Sequence, residues 1–553
     1  MLWNADLGNG RYKNPILYTD YSDPDAIRVG QDYYMTASTF TNVPGLPILH
    51  SKDLVNWELL GYALKKIPEF RYRDPIHGCG VWAPALRYHD GWYYIYFPMP
   101  DEGIYMIKSR KAAGNWSEPV KVYDGAGFID PCPFWDEDGK AYLVNGVAKS
   151  RIGYKSVLYM SEMSPDGTRL VSEPVKIYDG TPDGNITTEG PKLYKKYGYY
   201  YIFAPAGGVK TGWQIVLRSK EIFGPYEVRT VMHQGNTGIN GPHQGAWVDT
   251  PEGTHWFLHF QDVFAAGRIV HLQPMQWTPD FWPIIGRISE KNALIGEPVE
   301  EWDMPVKTAK RKEAEPQKEQ ALPLTDITGK LLPGWQWNAN PDHTWMQPAE
   351  NGGIYLTAVQ VSEKRPLPDY PNLLLRKWEA PAFQMEALMD LSEMADGASA
   401  GIMAMGMQYA GLALEKEEEG CRISRIRGKQ VFDAGLVYAD ENKESVQIIK
   451  DLALKVRLVL EVIPTNDVTA TSPKPEYTEG EEAKVLHPEA LVRIWMKDMS
   501  GNELIRVEVP AVAGRWVGAK YGFFHVKTGL AKRWQGTQTE EIGCVRITDV
   551  KIR

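Results

Sequence analysis

The hydrophobic pattern of the first half of the chain is a recurring one: a short strand, a turn, an aromatic-rich strand, then a third strand often closing on Ser and a basic residue. The aromatic strands open at Asp32, Trp92, Ala141, Tyr199 and Trp256, with runs such as Trp92-Tyr93-Tyr94-Ile95-Tyr96 and Tyr199-Tyr200-Tyr201-Ile202-Phe203. Turn signals precede four of them: Val29-Gly30-Gln31, Asp90-Gly91, Asp138-Gly139 and Tyr197-Gly198. Ser51, Ser109, Ser161 and Ser219 mark the third strands. Units of roughly 57 residues, counted between those serines and between the aromatic strands, fill residues 1–298. An irregular sandwich explains short strands but not a fixed period. The repeat therefore predicts an all-β chain that begins as a five-bladed β-propeller.

The pattern then changes. Residues 299–323 mix acidic and basic side chains, as in Lys310-Arg311-Lys312-Glu313-Ala314-Glu315, and read as a charged linker. Strand patterns return without the period over 324–553. Leu454, Val456, Leu458, Leu460 and Val462 alternate as a half-buried strand should, and Leu491-Val492-Arg493-Ile494-Trp495 follows a polar loop over 464–482. This region is expected to be a β-sandwich. Its tryptophans Trp335, Trp337 and Trp345 are expected in its core or at an interface.

Composition sharpens this. The chain carries 61 Lys plus Arg against 70 Asp plus Glu, a formal charge of −9. So acidic a chain predicts no nucleic-acid partner and no anionic membrane surface. No apolar run is long enough for a transmembrane helix. No leader is visible at the N-terminus, so the protein is expected in the cytoplasm, or outside it if a leader was removed. The four cysteines, Cys79, Cys132, Cys421 and Cys544, stand too far apart in sequence for a zinc clip and are expected as isolated thiols. With 19 Trp, 29 Tyr and 15 Phe, the aromatic count fits short strands and flat faces for ring-shaped ligands.

In a propeller the innermost strand of each blade lines the central channel. Reading back from each aromatic strand gives Asp23, Trp82, Asp130, Glu189 and His243 at what are expected to be equivalent positions. Three are acids. Acids converging on one axis raise at least one pKa, and a protonated carboxyl facing an ionised one is what cleavage of a glycosidic bond needs. The Pro or Gly after each acid gives a bend that could aim it into the channel.

These residues resemble glycoside hydrolase family 43, a five-bladed propeller family of β-xylosidases and α-L-arabinofuranosidases. The resemblance runs in order through Ser22-Asp23-Pro24, Val81-Trp82-Ala83-Pro84, Ile129-Asp130-Pro131, Glu189-Gly190-Pro191, Gly241-Pro242-His243, Gly267-Arg268-Ile269 and Trp282-Pro283-Ile284-Ile285-Gly286. It implies Asp23 as general base, Glu189 as general acid and Asp130 as the acid that orients Glu189 and tunes it. Inversion of the anomeric centre is implied as well. So are Trp82 as an aromatic wall of the sugar pocket and Arg268 as a substrate contact. His243 matches a histidine that in many members binds a structural calcium ion through water; no cofactor is implied for the chemistry. The implied substrate is an oligosaccharide that loses a terminal xylose or arabinofuranose. A non-catalytic carbohydrate-binding propeller, or a glycosidase for another sugar, is the alternative. Oligomeric state is left open.

Asp25 lies two residues from Asp23 and could share its face of the strand, a rival for the same role. Arg73-Asp74-Pro75 resembles a motif of the fructan-cleaving glycosidases, but their other signatures are absent, so a blade-connecting loop is expected. Residues 40–45 could form a pocket rim or a plain connection. His77, His89, His233 and His259 have no metal spacing.

Overall fold

The computed structural model describes residues 2–306, 319–418, 420–433, 436–449, 454–472, 483–528 and 542–553. Five sheets with four antiparallel strands in sequential order occupy residues 25–64, 85–124, 128–179, 192–232 and 243–285, and the fourth is extended by Gly296–Glu297, which joins its outer strand in parallel, and by Arg287–Ile288. They are the blades of a propeller. Their innermost strands are Asp25–Val29, Ala85–His89, Phe128–Trp135, Lys192–Lys196 and His243–Asp249, each preceding its aromatic strand as expected. Tight turns join the two: Asp90 and Gly91 both take positive φ, 47° and 74°, which suits a two-residue hairpin of the primed kind. The ring is fastened where the amides of Ile16 and Leu17 donate to the Val270 carbonyl, tying the N-terminal segment to blade 5.

Aromatic residues sit between blades. Tyr34 meets Tyr93 with ring centroids 5.3 Å apart, Tyr94 meets Trp135 at 4.8 Å, Phe134 meets Tyr200 at 6.1 Å, and Tyr194 meets Trp247 at 5.1 Å. These contacts join blade 1 to 2, 2 to 3, 3 to 4 and 4 to 5. Tyr33 and Trp256 share the apolar cluster that joins blade 5 to blade 1. Aromatic rings bury large area with few rotatable bonds, which suits a wedge between flat sheets.

The C-terminal region is a sandwich of two mostly antiparallel sheets around one apolar core. Val456, Leu458, Leu460 and Val462 are buried as the alternation predicts, whereas Leu454 is exposed and lies outside the strand. That strand, Lys455–Ser472, runs on through residues expected to be loop, with a register shift between Pro464 and Asp467. The rest of the expected loop lies outside the described residues. So do residues 307–318 of the expected linker. On its N-terminal side Glu301–Asp303 pairs with Arg11–Lys13, and on its C-terminal side Gln320–Ala321 pairs with the last strand of the sandwich.

The two domains meet closely. Val43 and Trp337 form a β-bridge, Arg365 pairs with Asp74 at 2.6 Å, and His77 pairs with Asp369 at 2.9 Å. Asp74 thus belongs to a blade connection that serves the interface. Trp335, Trp337 and Trp345 are buried, as expected of core residues. Gly518 of the sandwich packs so close to the propeller that an added Cβ would lie 2.6 Å from the Ala266 carbonyl oxygen.

Candidate active site

The entries to the inner strands set the site. Asp23-Pro24, Ala83-Pro84, Asp130-Pro131 and Gly190-Pro191 occupy one matched position in blades 1 to 4, two residues before the strand residues Asp25, Ala85, Cys132 and Lys192; Gln244 holds it in blade 5. At this position Asp23, Asp130, Gly190 and Gln244 all have positive φ: 56°, 55°, 58° and 34°. Left-handed backbone is costly for most side chains, though Asp tolerates it better than most. Here it kinks the chain where it enters the blade. At Gly190 it coincides with a close approach, since an added Cβ would stand 2.8 Å from the Gln244 side chain. Glu189 therefore stands one residue earlier than the position of Asp23 and Asp130, alongside Trp82 and His243. The expected single register of three acids is corrected to two adjacent registers. A longer side chain from the earlier position brings Glu189 to the same pocket.

Asp23 is almost fully buried. Its Oδ2 accepts hydrogen bonds from the Ser22 and Ser38 hydroxyls at 2.8 and 2.6 Å, and its Oδ1 accepts from Arg268 Nη1 at 3.1 Å. The same Arg268 nitrogen donates to Ser22 Oγ at 2.6 Å. Arg268 is held in turn through its backbone. Its amide donates to Asp20 Oδ1 at 2.9 Å, and the other Asp20 oxygen accepts from the Gly518 amide at 3.0 Å. The sandwich thus braces the arginine that braces Asp23.

Asp130 Oδ2 accepts from the Gly190 amide at 2.7 Å, which ties it to the residue next to Glu189. Burial first, then the charges of Glu189 and Asp23, push the Asp130 carboxyl up to about 8. Glu189 Oε1 lies 2.8 Å from His243 Nε2. His243 is fully buried and packs edge-on against Phe260. Asp25 is not a rival of Asp23. It points away from the pocket, where its Oδ2 accepts from the Leu86 amide and Arg87 Nη1, both at 2.7 Å.

The acids line a cavity of about 330 Å³. Trp82 and Phe40 form one wall, so the rim reading of the loop that begins at Phe40 holds for that residue. Trp516, from the sandwich, completes it: its ring meets Trp82 at 4.8 Å, close to perpendicular. Lys149 and Lys155 also line the cavity. Arg151 fixes the short helix Lys149–Ile152 by pairing with Asp101 and lying 5.0 Å over the Trp82 ring.

A family model described as glycosyl hydrolases family 43 matches residues 12–283, and one described as a beta-xylosidase C-terminal concanavalin A-like domain matches residues 328–534. A putative beta-xylosidase of Xylanibacter ruminicola is 40% identical over 433 residues, 78% of this chain and 77% of that protein. The chain belongs to glycosyl hydrolase family 43. Other family 43 relatives cover less: a beta-xylosidase of Formosa agariphila is 36% identical over 65% of this chain and 63% of its own length. A non-reducing end alpha-L-arabinofuranosidase of Bacteroides ovatus is 34% identical over 52% of this chain and 56% of its own. Among solved structures, a xylan beta-1,4-xylosidase from Bacillus halodurans superimposes with a TM-score of 0.74 at 22% identity, over 98% of this chain and 99% of that one. That likeness extends the shared fold to the sandwich.

For a family 43 enzyme the calcium expectation at His243 can be tested against the donors present. Nε2 faces Glu189, and among the described residues no group of three or more His, Cys, Asp or Glu gathers as a metal cage. Calcium takes six to eight oxygens, which these side chains alone do not supply, so an ion near His243 would be held mainly by water, as the resemblance implies.

Phe40 aside, sequence reading missed Gln244, Lys149, Lys155 and Trp516 as pocket residues, and Ser38 as a buried partner of Asp23. Ser38 and Gln244 had a signal, since both flank strand ends that open on the axis. Trp516 had none, because it comes from a different domain.

Asp130 yields a stability prediction. Its folded pKa is raised above the unfolded value of about 3.9, so the folded chain binds the extra proton between about pH 4 and pH 8. Stability carried by the protonated carboxyl is present in full below pH 4 and lost as pH rises through about 8. Asp130→Asn escapes that loss. It is expected to melt higher than the wild type at pH 9, with the gap closing toward pH 5, in calorimetric scans at both pH values.

Proposed function

We propose that this family 43 chain is an exo-acting glycoside hydrolase that removes a terminal pentose, β-D-xylose or α-L-arabinofuranose, from plant-cell-wall oligosaccharides with inversion. The observation that carries the reading is the convergence of Asp23, Asp130 and Glu189 on one pocket walled by Trp82, Phe40 and Trp516. The pocket is closed below by a buried layer of side chains, so it suits a chain end rather than a chain passing through. Both pentoses appear in the names of its relatives.

In this reading Glu189 protonates the leaving glycosidic oxygen. It is the most exposed of the three acids, with its side chain 24% accessible, as a proton donor to an entering substrate must be. Asp23 removes a proton from the attacking water, and the Arg268 guanidinium and two serine hydroxyls hold it in one orientation. Asp130 fixes the Gly190 backbone that carries Glu189, and its raised pKa keeps a proton within the trio at neutral pH. Trp82 offers an aromatic face to the sugar ring. The hydroxyl-rich pentose is oriented by the polar groups of the floor, while the rings exclude water.

The reading is tested by hydrolysis of nitrophenyl β-xyloside and α-L-arabinofuranoside, then of arabinoxylan and arabinan oligosaccharides. Release of single terminal pentoses is expected. Sugar binding with turnover of no pentoside would favour a carbohydrate-binding propeller instead. Trp516→Ala, which opens the wall supplied by the sandwich, is expected to lower kcat/KM on these pentosides by about tenfold, mainly through KM. Steady-state kinetics on the nitrophenyl substrates measure it.

A further inference from the structure

Directly beneath the acids lies a sealed layer made by the residues two positions further along each inner strand. Asp25 of blade 1 accepts from Arg87 of blade 2, and Arg87 also donates to Cys132 Sγ of blade 3 at 2.8 Å. Lys192 of blade 4 is fully buried. Its ammonium donates to the Pro84 carbonyl oxygen at 3.1 Å. Pro84 belongs to blade 2, and blades 2 and 4 are not neighbours. A bond between them must cross the axis, so the ammonium sits under the centre of the pocket floor.

The charges of this layer do not balance. Arg87 is matched by Asp25, whereas among the described residues no carboxylate forms an ion pair with Lys192. A buried charge without a counter-charge costs several kcal/mol. Of the acids above, Asp23 is matched by Arg268 and Glu189 meets His243, whereas among the described residues Asp130 forms no ion pair, and Lys192 is among the charges that act on it. Lys192 follows Gly190, whose amide holds Asp130, by two residues.

We propose that Lys192 is a positioning residue of the site: its ammonium supplies from below the positive charge that allows Asp23, Asp130 and Glu189 to share one pocket. The proposal rests on the assignment of these acids as the reacting groups. Among the other charged and titratable groups around Asp130, Lys149 and Lys155 line the pocket, Lys155 donating to Thr187 Oγ1 at 2.7 Å. Arg268 is engaged by Asp23, His243 by Glu189, and Arg87 by Asp25 and Cys132. Tyr194, below the layer, stacks under Arg87 and is held neutral by burial. Lys192 accordingly counts among the groups that draw the Asp130 carboxyl downward, against the larger effects of burial, Glu189 and Asp23.

The test is a double-mutant cycle read by melting temperature, with a pH profile beside it. At pH 9, Lys192→Met is expected to lower Tm when Asp130 is present, because a buried carboxylate loses its counter-charge. In the Asp130→Asn background the same change is expected to raise Tm, because it removes a buried charge that has lost its purpose. On nitrophenyl pentosides, Lys192→Met is expected to shift the acidic limb of kcat/KM upward by about one pH unit, and Lys192→Arg to restore it. Equal Tm changes in both backgrounds, or an unmoved limb with activity simply reduced, would overturn the proposal. If Lys192→Met does not fold, Lys192→Gln is read in the same cycle. Should the wild type turn over no pentoside, the functional reading fails while the thermal cycle still decides the role of Lys192.

Discussion

Glu189→Gln is expected to lower kcat on xylo- and arabino-oligosaccharides by about 10³-fold with little change in KM, the scale of a lost general acid. Glutamine keeps the length and the hydrogen-bond reach toward His243 but carries no proton to give. The loss should depend on the leaving group. A sugar alkoxide leaves only when protonated, whereas a dinitrophenolate leaves without help. Glu189→Ala is therefore expected to hydrolyse dinitrophenyl pentosides to within about tenfold of the wild-type rate while failing on oligosaccharides. Steady-state kinetics across a series of aryl pentosides, with folding confirmed by melting curves, give the slope against leaving-group pKa. A slope as shallow as that of the wild type would remove Glu189 from the role.

Asp23→Asn is expected to cost about 10³-fold or more in kcat on every substrate, with no rescue by a better leaving group. Activation of water is needed whatever departs. Asparagine preserves the contacts to Ser22, Ser38 and Arg268 in shape, so KM should move only a few-fold and the fold should persist. The contrast between the two variants separates acid from base more sharply than either loss alone. Recovery of Asp23→Asn on dinitrophenyl substrates would reverse the assignment.

The propeller was legible in the sequence because each blade repeats the same physical problem. A flat sheet must wedge against its neighbours, and rings at Tyr34, Tyr93, Tyr94, Trp135, Tyr200 and Trp247 do so blade after blade. Asp23, Asp130, Glu189, Trp82 and Arg268 were legible because they sit where the inner strands open or, for Arg268, beside a glycine-marked turn. The register of Glu189 was misread by one residue. Counting back from the aromatic strands places residues only to within a turn, while the Pro that follows Asp23, Ala83, Asp130 and Gly190 marks the matched position directly. Asp25 could not be separated from Asp23 by periodicity, since the answer lay in its partner Arg87 on the next blade. Trp516 was out of reach for another reason. It enters the pocket across a domain interface formed by Gly518, Ala266 and Asp20, and no repeat encodes that contact. The aromatic excess that first pointed to ring-shaped ligands is mostly wedge; Trp82, Trp516 and Phe40 are the part that meets the pocket.

The most direct test of the account is the anomeric configuration of the first product. With nitrophenyl β-xyloside or α-L-arabinofuranoside, proton NMR recorded within the first minutes is expected to show a free pentose of inverted configuration. It should form at a rate abolished by Asp23→Asn, before mutarotation mixes the anomers. Appearance of the retained anomer first, or release of pentose undiminished in Asp23→Asn, would contradict a single displacement in which Asp23 activates water and Glu189 protonates the leaving oxygen.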